Sequence, residues 1–266
     1  MTHEFDFSGK VALVTGGTRG VGRGIAEGFL AAGAHVFVCG RSEPETLPSA
    51  ADRTARFVQA DVRVIEQVQG AIDAAMEAHG RLDVLVNNAG GSPEVDSATV
   101  SPRFSAAIIQ LNLTSPLWFA QRANAVMQEQ ESGGTIINIA SVSGTRPSPG
   151  TAAYGAAKAG LINLTETHAV EWAPRVRVNT IVAGPLRTEQ ALLHYGNEEG
   201  VAAVSKTIPM GRLGTPKDVA DACLFLASPM AAWITGSSLL AHGGGEWPAF
   251  LVAAKAVAEA NRAKGD

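Results

Sequence analysis

The sequence predicts an α/β fold: a doubly wound parallel sheet (a Rossmann fold) of about seven strands with helices on both faces. Three observations predict it. Short β-branched runs alternate with longer helical patterns, which implies parallel strands joined by right-handed helical crossovers. The chain has 266 residues, 46% of them hydrophobic and 17% charged, enough for one large domain with a buried core. And the apolar run Val11-Ala-Leu-Val14 passes through Thr15-Gly-Gly-Thr-Arg-Gly-Val-Gly22 straight into a helical pattern.

That corner is the first element. A strand at 11–15 meets a helix at 20–32, whose N-terminus presents unpaired N–H groups and a partial positive charge suited to a phosphate. Gly16, Gly17, Gly20, Gly22 and Gly24 form a wider loop than the GxGxxG fingerprint. A strand at 35–39 follows. About 20 residues on, NAD-binding folds often carry an acid for the ribose 2′-hydroxyl. Here that position reads Cys39-Gly-Arg-Ser42, with no acid and with Arg41 at hand. Arg41, with Arg19 from the glycine turn, would pair with a 2′-phosphate, which favours NADP(H) over NAD(H). Both arginines also read as solvated loop residues.

Further along, strands are expected at 56–60, 83–87, 134–140, 176–182 and 237–241. Helices are expected at 63–79, 103–129, 152–173 and 215–227. Residues 186–210 fit no element and read as a long binding loop, with Leu192, Leu193, His194 and Tyr195 as candidate substrate contacts. Residues 1–246 form one catalytic domain, and 247–266 a short alanine-rich helical tail on its own subunit or on a neighbour.

Composition narrows the function. A net charge of -4 without a long basic run argues against nucleic-acid binding. The polar start lacks a signal-peptide core and no run of 18 apolar residues exists, so a cytoplasmic protein with no membrane partner is expected. Cys39 and Cys223 read as buried, inert thiols, and no histidine has metal-ligand spacing, so no metal is expected. His242 reads as structural.

The helix at 152–173 carries the chemistry. Tyr154 and Lys158, four residues apart, share a helix face. A nearby ammonium favours phenolate, so the pair forms a candidate tuned proton donor and acceptor. The strand ending in Ser141 puts a hydroxyl at the carboxyl edge of the sheet, where ligands of doubly wound folds bind. Alone, such a Tyr–Lys spacing also fits two surface residues a turn apart.

These pieces together resemble the short-chain dehydrogenase/reductase family, in its compact one-domain branch. TGGTRGVG at 15–22 is similar to the family's TGxxxGxG loop, Ala60-Asp61-Val62 to its adenine contact, and Asn87-Asn-Ala-Gly90 to NNAG. Asn112 sits where the family's helix asparagine sits, and Ser141 precedes Tyr154 by the family's usual 13 residues. Gly211-Arg-Leu-Gly-Thr-Pro-Lys-Asp-Val219 and Ile234-Thr-Gly236 resemble its C-terminal signatures. The resemblance implies Tyr154 as acid–base catalyst, Lys158 lowering its pKa, Ser141 holding the substrate oxygen and Asn112 keeping a relay water. It implies cofactor contacts at Gly16, Thr18, Arg19, Gly20, Val21, Gly22, Arg41, Ser42, Asp61, Val62, Asn88, Ala89, Gly90, Tyr154, Lys158, Gly184, Pro185, Leu186 and Thr188. Ala183-Gly184-Pro185 departs from the family's Pro-Gly, and His242-Gly-Gly244 from its Asp-Gly-Gly.

The expected function is NADP-dependent hydride transfer between nicotinamide and a small carbonyl or secondary-alcohol substrate. The resemblance implies a homotetramer or homodimer. The competing readings are an NAD-dependent alcohol dehydrogenase and a nucleotide-binding regulator without turnover.

Overall fold

The computed structural model of the chain describes residues 5–264, apart from the side chains at 193, 194, 258–261, 263 and 264. In order, the first half holds β1 (Val11–Thr15), α1 (Gly20–Ala31), β2 (His35–Gly40), β3 (Ser49–Ala50), β4 (Arg53–Thr54), β5 (Arg56–Gln59), α2 (Ile65–His79), β6 (Val84–Asn87), α3 (Pro102–Ile109) and α4 (Ser115–Glu129). The second half holds β7 (Gly134–Ser141), α5 (Ala152–Trp172), β8 (Val176–Ala183), α6 (Ala191–Tyr195), α7 (Glu198–Thr207), α8 (Pro216–Ala227), β9 (Ser238–Ala241) and α9 (Ala249–Lys264). Seven strands form one parallel sheet in the order β5-β2-β1-β6-β7-β8-β9, as expected of a Rossmann fold.

The alternation of side chains along each strand feeds two cores. Ala12, Val14, Val36 and Val38 face α1 and α8, packing with Ile25, Phe29, Val219 and Cys223. Val11, Leu13, Phe37 and Cys39 face the other way, onto Val68, Ile72, Phe119 and Met127 of α2 and α4. With both faces covered, every position of β1 is buried, which is why Val11–Val14 is an unbroken apolar run.

The chain moves outward from β1 through β2 to β5, then crosses back to lay β6 on the other side of β1. This reversal opens a crevice at the carboxyl ends of β1 and β6. A buried polar chain fixes α5 above it. Asn87 Nδ2 donates to Asn138 Oδ1 (2.9 Å), Asn138 Nδ2 to Thr165 Oγ1 (2.8 Å) and Thr180 Oγ1 to the same Thr165 oxygen (2.7 Å). That links β6, β7 and β8 to the helix that carries Tyr154 and Lys158.

Four expectations need correction. The helix expected over 103–129 is broken by a π turn at Gln110–Thr114, since Asn112 turns its side chain onto the Ile108 carbonyl (2.9 Å) and Ser115 Oγ onto Gln110 (2.9 Å). The supposed loop at 186–210 contains α6 and α7. Asn197 caps α7 through the Gly200 N–H, with Glu198 and Glu199 in the first turn and Lys206 in the last, matching the helix dipole. A hairpin, β3–β4, was not expected, because its turn residues Ala51 (φ 48°) and Asp52 (φ 58°) are left-handed without glycine. The tail is a helix of 16 residues rather than a short one, with Phe250, Val252 and Val257 exposed.

Candidate functional site

The β1–α1 corner forms the floor of the crevice. Thr15 Oγ1 accepts the N–H groups of Asn88 and Ala89, each at 3.0 Å, and Asn88 Nδ2 donates to the Thr15 carbonyl at 2.9 Å. The turn after β1 is thus stapled to the end of β6. Gly22 lies so close to this staple that a Cβ there would stand 2.4 Å from both Asn88 Nδ2 and Gly16 O. The helix that begins at Gly20 has no side-chain cap from Arg19 and no acid in its first turn. Its N–H groups face the crevice as an anion seat.

The resulting cleft has a volume of about 720 Å³. Of the residues expected at a cofactor, it is lined by Gly16, Thr18, Arg19, Gly20, Val21, Gly22, Arg41, Ser42, Asp61, Val62, Asn88, Ala89, Gly90, Tyr154, Lys158, Gly184, Leu186 and Thr188. Pro185 is turned away, its carbonyl accepting the Gly214 N–H at 3.1 Å. Asp61 is already engaged. Arg63 grips it through Nε (2.9 Å) and Nη2 (2.6 Å), and this guanidinium holds the carboxyl below its usual range. Among the described residues, Arg19 and Arg41 form no ion pair and are open to an anionic ligand.

At the other end stand the chemical groups. Ser141, the last residue of β7, and Tyr154, in the first turn of α5, both line the cleft. Lys158 is 3% exposed and donates to the Ile139 carbonyl at 2.8 Å. Its Nζ lies 5.6 Å from the Tyr154 ring centroid. Burial pushes the Lys158 ammonium down to about 8. The phenol behaves contrary to the expectation that Lys158 would lower it. Burial pushes Tyr154 above its usual 10, and the Ser141 hydroxyl draws it back only in part.

Asn112 does not line the cleft. It is fully buried in the π turn, where its Oδ1 accepts the Gly91 N–H (2.8 Å) and its Nδ2 donates to the Gly91 carbonyl (3.0 Å). It therefore clamps the chain just beyond β6. Gly90 fits between this clamp and Lys158, since a Cβ there would stand 2.6 Å from Asn112 Oδ1 and 3.3 Å from Lys158 Nζ.

Among the lining residues that were missed, four carry charged or amide side chains: Glu43, Arg63, Glu189 and Gln190. Each follows within two residues of a position already singled out, so adjacency was the available signal. Leu192 and Tyr195 do not line the cleft. Leu192 is exposed, and Tyr195 packs on a small separate cluster of Val201, Ile208 and Leu213. The side chains of Leu193 and His194 lie outside the described residues. His242, remote in sequence, is beside the site in space, because β9 pairs with β8 and brings its Cβ against Gly184.

A family model described as Enoyl-(Acyl carrier protein) reductase matches residues 16–246. The chain belongs to the short-chain dehydrogenase/reductase family. As a member of this family it is an NAD(P)-dependent oxidoreductase. It is 38% identical over 250 residues to 3beta-hydroxysteroid dehydrogenase 1 of Eggerthella lenta, covering 90% of this chain and 94% of that one. It is 36% identical over 242 residues to the 3-oxoacyl-(acyl-carrier-protein) reductase of Vibrio harveyi, covering 90% and 98%. Among solved structures, the aldohexose dehydrogenase of Thermoplasma acidophilum superposes with a TM-score of 0.81 at 32% identity, covering 88% of this chain and 93% of that one. No described helix is long and apolar enough to cross a membrane.

Proposed function

We propose that this family member is an NADP-dependent reductase or dehydrogenase acting on a carbonyl or secondary alcohol, with Tyr154 as the acid–base catalyst. The observation that carries the reading is one cleft with Ser141, Tyr154 and Lys158 at one end and two unpaired arginines at the other. The residues fit a dinucleotide. The start of α1, with no cap from Arg19 and no acid in its first turn, suits a pyrophosphate, the glycine cradle leaves room for close approach, and Arg19 with Arg41 suits a 2′-phosphate. Hydroxysteroid, 3-oxoacyl and aldohexose, in the relatives' names, all denote a carbonyl or carbinol carbon, which supports the substrate class.

When bound, the nicotinamide supplies or accepts the hydride at the substrate carbon. The protein's residues manage the oxygen. In reduction, Ser141 Oγ and Tyr154 Oη both donate to the carbonyl oxygen, and Tyr154 Oη passes its proton to it as the alcohol forms. The Lys158 ammonium favours the phenolate left behind. In oxidation the same atoms run in reverse. Asn112 acts at a distance, holding Gly91 and thus the wall that Gly90 and Lys158 share.

Tyr154→Phe is the first test. Retained cofactor binding with turnover reduced by about 10² to 10⁴ supports the assignment, and unchanged turnover sinks it. The NADP preference is tested by titrating NADPH and NADH at fixed salt, where Arg41→Ala should weaken only the former. A homodimer or homotetramer completes the proposal. Support comes from the exposed Val170, Trp233 and Leu240, and light scattering on the purified chain checks it.

A further inference from the structure

We propose that Glu189 is a built-in occupant of the phosphate seat, an anionic latch that a dinucleotide must displace. The inference rests on the dinucleotide reading of the cleft. The start of α1 lacks any local anion, since Arg19 offers no side-chain cap and the first turn has no acid. One arrives from 169 residues away: Glu189 Oε1 accepts the Gly20 N–H at 2.9 Å. Thr188 comes with it, its Cγ2 standing 3.7 Å from where a Gly20 Cβ would be. A carboxylate on this N–H and a pyrophosphate at the same helix start exclude one another by charge and by donor.

The latch sits on a strap held at both ends. Gly184 N–H donates to the Ala241 carbonyl (3.0 Å) and Arg187 N–H to the Gly214 carbonyl (2.7 Å), so the chain is held up to residue 187. Beyond Glu189, α6 and α7 pack around Val201, Ile208 and Leu213, apart from both main cores. The far end is tied where Trp247 N–H donates to the Thr207 carbonyl (2.9 Å) and Met210 N–H to the Gly243 carbonyl (3.1 Å), so the stretch between can shift without opening either main core. Entry of the dinucleotide therefore frees residues 188–190 from the cleft, and the latch couples cofactor binding to the position of this stretch of its wall.

The test compares the full-length chain with Glu189→Ala and Glu189→Gln. NADPH affinity, read by fluorescence titration, should tighten about three- to tenfold in Glu189→Ala. Glu189→Gln should gain less, because its amide oxygen still accepts the N–H. Adenosine 2′-monophosphate has no phosphate for the α1 seat, and its affinity should stay the same in all three. In the cofactor-free proteins, the Gly20 amide should exchange its hydrogen faster in Glu189→Ala than in the parent. Equal or weaker NADPH binding by Glu189→Ala overturns the latch and leaves the cofactor reading standing. If neither parent nor variants bind any dinucleotide, the cofactor reading falls. Unchanged Gly20 exchange overturns the latch by itself.

Discussion

Gly90→Ala tests how tightly the cleft wall is built. The backbone of Gly90 lies outside the left-handed region, so alanine meets no conformational penalty there. The cost is steric. The new methyl would stand 2.6 Å from Asn112 Oδ1, well inside contact distance, and 3.3 Å from Lys158 Nζ. Asn112 cannot yield cheaply, because its amide holds Gly91 twice and Ile108 once, all in the interior. Forcing one buried hydrogen bond open costs about 1–3 kcal/mol, and overpacking adds about 1 kcal/mol or more. For a chain of this size each kcal/mol lowers Tm by about 2–4 °C, so Tm should fall by about 4–16 °C. Turnover should fall too, since Lys158 is pushed away from Tyr154. Scanning calorimetry on Gly90→Ala, Asn112→Ala and the double variant isolates the cause. If the clash is real, the double variant loses less than the two single losses combined. Strict additivity, or a Gly90→Ala protein with unaltered Tm, refutes the reasoning.

Two further expectations concern buried basic side chains. Lys158→Met should abolish turnover yet stabilise the fold by about 2–3 kcal/mol at pH 7. Burial depresses Lys158 to about 8, so the folded state resists its proton. The penalty is full below pH 8 and fades as pH rises toward the unfolded value of about 10.4, and denaturant midpoints at pH 7 and pH 10 read the difference. His168 is buried, stacks on Trp172 at 3.8 Å between ring centroids and is lowered chiefly by desolvation. Its neutral form is the folded one, so stability should be fully present above about pH 6.5 and lost as pH falls below it. His168→Phe should flatten that slope between pH 7 and pH 5. The carboxylates Asp83 and Asp218, held low by their arginine partners, lose their contribution only at more acid pH.

The sequence displayed the sheet well because a parallel strand buried on both faces is largely apolar, as Val11–Val14 of β1 and Ile181–Ala183 of β8 are. It displayed the ends of the cleft because a tyrosine and a lysine one turn apart, and glycines at a strand-to-helix corner, have few other uses in combination. What stayed hidden depends on distant partners. Nothing local shows that Glu189 reaches Gly20 or that His242 lies on Gly184, since both contacts depend on strand order. The Tyr154 phenol was misjudged because one neighbour, Lys158, was weighed without the desolvation of the helix start. The α7 helix was legible in Asn197-Glu-Glu199 but was masked by the glycine-rich surroundings.

The π turn at Gln110–Thr114 carries one residue more than a regular helix needs. Deleting a single residue there would let α3 and α4 run together as one regular helix. By helical geometry the same deletion would swing α3 about 100° around the axis relative to α4. The extra residue thus works as an angular spacer, aiming the Asn112 amide at the end of β6 while α4 keeps its apolar side on the sheet. Shortening this helix would simplify its geometry and dismantle the wall beside Tyr154.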